Sequence, residues 1–475
     1  MKQTKLLIVA VAILLLIIGL ITITSYALLN KGTNQFYNEG FYVGVTYCGN
    51  SVQEAKELID EVKDYTNLFI IQSGTLQNAT EVNEIGDYAI ASSLNFAVYN
   101  SKAVYYSADM GSGINEWANA AKERWGERFI GIYYEDEPGG EMLDIDVVFE
   151  EAVIQNGDTS FKTDIIKKTA EGEIIFNDKG TQIHYRPNGE ITVLDDAKFI
   201  TYYPNRTVTL LETETNNFYT IENGTEYLSQ IRPYEQVLRQ NPIQNYDDAA
   251  RAFMNKNQER LEKINKTQLN EESILVFTSD YGLYWWNYQS GYDLVLTQLG
   301  CNNSITQEIG LLRGAANLQG KSWGTIITWK YNQAPYLADG NETFEQMKIS
   351  YEAGAEYVII FNYAPDMTGP YGTLQDEHFK ALERFWNDVV QNPKVTHGGI
   401  KAEAALILPQ NYGWGMRNPN DIIWGIWKTN STSQEIWNQL ENKINQYGLK
   451  LDIVFEDPNY PAMEKYDHIY YWNQE

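Results

Sequence analysis

Residues 131–140, GIYYEDEPGG, set three acids, Glu135, Asp136 and Glu137, between an apolar, aromatic-rich run and a Pro-Gly-Gly break. Adjacent carboxylates repel, so at least one of them keeps its proton to higher pH. A group in that state can protonate a departing oxygen, as the acid of a glycoside-cleaving site must, beside a second carboxylate. The same triplet also reads as a wall that binds sugar without turnover, or as a solvated loop that ends a strand.

The elements around the triplet decide between these readings. Strands are predicted at 41–47, 67–73, 95–107 and 128–134, and again at 273–279, 293–299, 324–330 and 357–363, with helical stretches between them. One such helix starts in SVQEAKELIDEVKDY, where Ser51 and Glu54 have capping-box spacing and Ala55, Leu58, Ile59 and Val62 recur at helical period. Eight strands with intervening helices predict an α/β fold, a (β/α)8 TIM barrel over 38–399; two packed α/β domains are the alternative. Between the two groups of four, residues 150–232 alternate polar and apolar positions around Asn-Asp, Pro-Asn-Gly and Glu-Asn-Gly turns. That pattern predicts an antiparallel β insertion after strand 4. Residues 400–475 read as a small C-terminal α/β domain.

In such a barrel chemistry sits at the C-terminal ends of the strands, where the acidic triplet falls on the fourth. Asp280, in FTSDYGLYWW at the end of the fifth strand, is the first choice for the partner carboxylate and Glu135 the reserve. Glu135 and Glu137, two apart, share a face if the strand continues, with Cα atoms about 6.5–7 Å apart. Such a pair lines one wall rather than flanking a sugar.

A fourth-strand end reading Asp136-Glu137-Pro138 resembles the Asn-Glu-Pro of clan A glycoside hydrolases. The resemblance implies a TIM-barrel glycoside hydrolase with Glu137 as acid/base. Asp136 stands where that family has Asn, and the seventh-strand end, where it has a nucleophilic Glu, carries Thr328, Trp329 and Lys330. The segment after 400 is similar in outline to the glutamine-amidotransferase-like domain that follows the barrel in family 42 beta-galactosidases, though shorter.

Aromatic residues cluster at the predicted strand ends: Tyr133, Tyr134, Tyr281, Tyr284, Trp285, Trp286, Trp329, Tyr331 and Tyr363. Flat amphipathic rings suit sugar faces, and core packing uses them equally. Asp136, Tyr134, Tyr281, Trp285, Trp286, Trp329, Lys330 and Asn362 are the candidate substrate contacts.

No cofactor is implied. Phosphate-binding loops and nucleophile elbows are absent from the sequence. The four histidines, His184, His378, His397 and His468, are scattered, so no metal site is expected. Asp376, Glu377 and His378 invite a metal reading, but Thr373 followed by acids looks like a capped helix start. Cys48 and Cys301 are the only cysteines, which leaves one bridge open.

A net charge of −27 argues against nucleic acid and anionic lipid as partners. Residues 6–29 are uncharged and mostly apolar, and as a helix they reach roughly 36 Å, enough to cross a bilayer. Lys2 and Lys5 before them favour a cytoplasmic N-terminus, so 1–30 is read as a transmembrane signal anchor, with a cleaved signal peptide as the alternative. Seven Asn-x-Ser/Thr sequons, from Asn78 to Asn430, fit an exported chain open to glycosylation. The expectation is a membrane-anchored, outward-facing glycoside hydrolase-like protein acting on a carbohydrate. A non-catalytic glycan-binding or cell-envelope protein on the same barrel competes with it, and a metal-dependent deacetylase or lyase is a third reading.

Overall fold

The computed structural model describes residues 40–475 except 73–75, 77, 101–112, 145–149, 157–158, 169–173, 179–180, 187, 195–196, 213–214, 216, 225–236, 240–242, 244, 272, 302, 366–368, 464 and 475. The expected anchor at 6–29 lies outside the described residues, among which no helix is long and apolar enough to cross a membrane.

Four short strands, β1 (Tyr42–Tyr47), β2 (Leu68–Ile71), β3 (Asn95–Tyr99) and β4 (Phe129–Tyr133), come before the insertion. The insertion supplies nine strands among the described residues, from β5 (Glu150–Asn156) to β13 (Val237–Arg239), in one antiparallel sheet. Four more strands follow: β14 (Leu275–Asp280), β15 (Leu294–Leu299), β16 (Ser322–Ile327) and β17 (Tyr357–Ile360). The two sets of four pair in parallel and close into a barrel in which β14 lies beside β4 and β17 beside β1. The insertion therefore interrupts the sequence without interrupting the ring.

Local signals account for most helix starts. Ser51 accepts from the Glu54 N–H at the head of Val52–Val62, and Asn245 from the Asp248 N–H at the head of Tyr246–Lys263. At Asp376–Phe385 the cap is Gln375 rather than Thr373. His378 Nδ1 accepts from the Gln375 N–H at 3.0 Å while Nε2 lies 2.8 Å from the Ala338 carbonyl, so both ring nitrogens are engaged in this structural role.

Strand pleating sorts the side chains. Leu68, Ile70, Phe277, Leu294, Leu296, Ile326, Tyr357 and Ile359 fill the barrel interior, while Val276, Val295, Ile327, Val358 and Ile360 face the surrounding helices. These are alternating positions of period two. Continuing the interior parity beyond the strand ends brings Gln72, Ser279, Gln298, Thr328 and Tyr363 to the mouth.

The C-terminal segment forms a three-stranded parallel sheet, β18 (Ala404–Leu408) between β19 (Leu451–Phe455) and β20 (His468–Tyr471), with helix Ser431–Tyr447. It is joined to the barrel by a buried ion pair. Arg313, on helix Ile305–Gln319, donates to Asp452 at 2.8 Å, and the Tyr466 hydroxyl donates to the other carboxylate oxygen at 2.9 Å.

Candidate active site

The chain leaves β4 through two left-handed residues, Glu135 (φ +60°) and Glu137 (φ +51°), with Asp136 between them. Such a backbone is uncommon for residues with a Cβ and marks a conformation imposed by its surroundings. The surroundings are the end of β14: the Tyr134 N–H donates to the Phe277 carbonyl at 2.8 Å and the Glu137 N–H to the Ser279 carbonyl at 2.9 Å. The Pro-Gly-Gly is no terminator, since helix Pro138–Asp144 begins there.

Asp280 holds the start of that helix. It is 0% exposed, and it accepts from the backbone N–H groups of Gly139 (2.7 Å), Gly140 (3.1 Å) and Tyr281 (2.8 Å) and from Asn287 Nδ2 (2.5 Å). A Cβ on Gly139 would come within 2.6 Å of Asp280 Oδ2, so the close approach requires glycine. Burial pushes the Asp280 carboxyl up to about 7 against the pull of its donors. With the parity of Val276 and Thr278, Asp280 faces the helix layer, and it is not among the residues lining the cavity.

The cavity of about 290 Å³ opens at the C-terminal ends of the strands and is lined by Asp136, Glu137, Ser279, Gln298, Trp329 and Tyr363, with Gln72, Cys301, Ile326, Thr328 and Phe361 completing it. Its acids among the described residues are Asp136 and Glu137, neighbours in sequence on one wall. Trp329 and Tyr363 form an aromatic wall, their rings stacked at 5.8 Å and 3°, with the Trp329 Nε1–H donating to the Tyr363 carbonyl at 2.8 Å.

A hydrogen-bond chain fixes the two acids. Tyr133 Oη, 2.6 Å from Ser279 Oγ, donates to Asp136 Oδ1 at 2.5 Å, and Ser279 Oγ donates to the same oxygen at 2.9 Å. Gln298 Nε2 donates to Glu137 Oε1 at 2.6 Å and lies 3.1 Å from Ser279 Oγ. Burial, then the neighbouring Asp136 charge, pushes the Glu137 carboxyl up to about 7, against the Gln298 hydrogen bond. Solvent reaches Asp136 through the cavity mouth, yet protein packed on its other sides raises its pKa as well, opposed by the Tyr133 and Ser279 donors. With two donors on one oxygen, Asp136 is the member of the pair that is better held as the anion.

Because Glu137 binds its proton more tightly folded than unfolded, its ionisation costs stability. Its contribution falls as pH rises from about 4.5 through about 7 and stays low above that. Glu137→Gln, which cannot ionise, is therefore expected to melt higher than the parent chain at pH 8 and level with it at pH 4. Melting curves at the two pH values test this, and an equal difference at both would show that Glu137 ionises without penalty.

The other sequence-chosen residues divide. Trp329 lines the cavity. Lys330 lies in an adjoining hollow of about 430 Å³ that shares Cys301, where its Nζ pairs with Glu342 at 2.5 Å. Glu135 is off the cavity wall, because its left-handed turn ends the strand before the Glu135–Glu137 pairing expected for an extended run.

Tyr134 is buried, its hydroxyl donating to the Arg260 carbonyl at 3.0 Å. Trp285 and Trp286 are buried too and pack on the C-terminal segment. Trp286 lies 4.6 Å from Trp424 and 4.5 Å from Phe455, and Trp285 lies 5.8 Å from Phe455. Tyr281 donates to Asp144 and sits under Arg417, outside the cavity. Asn362 is 0% exposed and accepts from the Thr373 N–H at 2.9 Å, behind the wall that Tyr363 forms.

Both cysteines are free, Cys48 buried and Cys301 exposed at the cavity. Among the described residues, no group of three or more His, Cys, Asp or Glu is arranged to hold a metal ion.

Sequence reasoning missed Gln72, Ser279, Gln298, Cys301, Ile326 and Phe361 as cavity residues. Interior parity was the available signal for all but Cys301, which lies in a loop.

Fold and site together define a (β/α)8-barrel protein with a paired-acid cavity at the strands' C-terminal mouth. The chain matches no protein-family model, and no curated relative is found by sequence. Solved structures with distant resemblance include the catalytic domain of beta-amylase from Paenibacillus polymyxa, at 10% identity and TM-score 0.35, over 75% of this chain and 99% of that one. Pyruvate kinase from Pyrobaculum aerophilum is similar at 9% identity and TM-score 0.29, over 88% and 97%. At these scores neither carries an argument about this chain, whose barrel rests on its own closed strand order.

Proposed function

We propose that this chain is a glycoside hydrolase-like enzyme, held at a membrane by residues 6–29 with the barrel outside, in which Glu137 is the general acid and Asp136 its charged neighbour. The reading is carried by one observation: Glu137, with a carboxyl pushed up to about 7, stands in an aromatic-walled cavity where a barrel does its chemistry. A proton donor must be protonated near working pH, and flat rings lining the same cavity suit a sugar face.

In this reading Asp280 is a positioning residue. It caps helix Pro138–Asp144 and so sets the direction in which Glu137 leaves the strand. The C-terminal domain, similar in outline to a glutamine-amidotransferase-like domain, acts as a support that grips Trp285 and Trp286. No step requires a cofactor.

The test is hydrolysis of a panel of aryl glycosides by the full chain in detergent. The expected result is turnover of at least one, with kcat/KM falling as pH rises through about 7, where Glu137 loses its proton. Sugar binding without turnover of any glycoside would instead favour the non-catalytic glycan-binding reading. That reading is supported by the lack of a carboxylate facing Glu137 among the described cavity residues.

A further inference from the structure

Direct displacement at a sugar carbon needs carboxyl groups on both faces of the ring, about 5–5.5 Å apart for retention and about 6.5–9.5 Å for inversion. The described cavity offers neither arrangement. Its acids are consecutive residues on one wall, and the other walls present Thr328, Trp329, Phe361 and Tyr363.

We propose that the nucleophile belongs to the substrate, and that the site acts on 2-acetamido-2-deoxy sugars by neighbouring-group attack of the acetamido carbonyl. This rests on the reading of Glu137 as general acid and names the substrate class for it.

The geometry of Asp136 is the reason. Tyr133 and Ser279 both donate to Oδ1, which holds one carboxylate oxygen of a residue that lines the cavity and leaves Oδ2 outside both hydrogen bonds. A fixed carboxylate beside the acid is what an acetamido N–H requires as it becomes cationic. The cavity, at about 290 Å³, is at the small end of ligand sites and suits one terminal sugar residue rather than a continuous chain.

In the first step Glu137 gives its proton to the glycosidic oxygen, and the C1–O bond breaks with its electron pair leaving on that oxygen. The acetamido carbonyl oxygen forms a new bond to C1, closing an oxazolinium ring whose N–H donates to Asp136. In the second step water attacks C1, the Glu137 carboxylate takes a proton from that water, and the ring C1–O bond returns its electrons to the carbonyl. The sum is hydrolysis with retention, and both acids end as they began.

The test pairs 4-methylumbelliferyl glycosides that differ only in carrying a 2-acetamido or a 2-hydroxyl group, in both anomers and in gluco and galacto forms. The full chain is expected to prefer the acetamido member by at least about 10²-fold, as for loss of a principal catalytic group. The rate should fall through the N-fluoroacetyl series as the carbonyl oxygen loses nucleophilicity. Asp136→Asn should lower kcat for the acetamido substrate about 10²-fold with KM little changed.

Equal turnover of the paired sugars, or rates indifferent to fluorination, would overturn the substrate assignment and leave Glu137 as an acid for other glycosides. Failure to cleave any glycoside would overturn the enzymatic reading itself.

Discussion

Glu137→Gln is expected to lower kcat/KM for unactivated glycosides by about 10²–10⁴-fold, the range for removing a general acid. The exchange keeps shape and an oxygen for Gln298 to donate to, so the cavity and its Trp329–Tyr363 wall stay as they are. What is lost is a proton held up to about 7 by burial and by Asp136. Dinitrophenyl glycosides, whose leaving group departs without a proton, should lose far less. Kinetics on the two substrate classes therefore separate the acid role from a general disturbance of the site. A variant that loses both equally would have lost binding or folding instead, and one that loses neither would remove Glu137 from the chemistry.

Asp280→Ala is expected to destabilise the fold by about 4 kcal/mol. Each buried donor left without an acceptor costs about 1–3 kcal/mol, and three backbone N–H groups and the Asn287 amide would lose theirs together. In a chain of this size that corresponds to a melting temperature lower by about 4 °C. Asp280→Asn should also destabilise, because one acceptor becomes an NH₂ group facing backbone donors. Calorimetry on both variants checks this, and a shift under about 1 °C would mean that solvent replaces Asp280 and that helix Pro138–Asp144 does not depend on it.

Asp280 also shows where reading by residue type stops. An acid at a strand end beside a Tyr-Trp-Trp run has the right chemistry for a partner carboxylate. The pleat decides otherwise: Phe277 points into the barrel, so Ser279 reaches the mouth and Asp280 turns to the helices. Trp285 and Trp286 lie away from the cavity for a related reason, since one helical turn beyond the strand they point into the contact with Trp424 and Phe455. Glu135 shares a face with Glu137 only if the strand continues, and its left-handed backbone ends the strand. Trp329 and Tyr363 do line the cavity, because ring and strand end coincide there.

By itself the sequence determined the barrel and the acidic triplet at the end of its fourth strand. It also determined the antiparallel insertion and the small C-terminal α/β segment, because hydrophobic period and turn chemistry are local properties of the chain. Only the tertiary structure decided which of the three acids face the cavity, that Asp136 is pinned by Tyr133 and Ser279, and that Asp280 is a cap. Those facts depend on β14 lying against β4 across 146 residues of separation, as between Tyr133 and Ser279, and no local pattern carries the side-chain directions on which that contact depends.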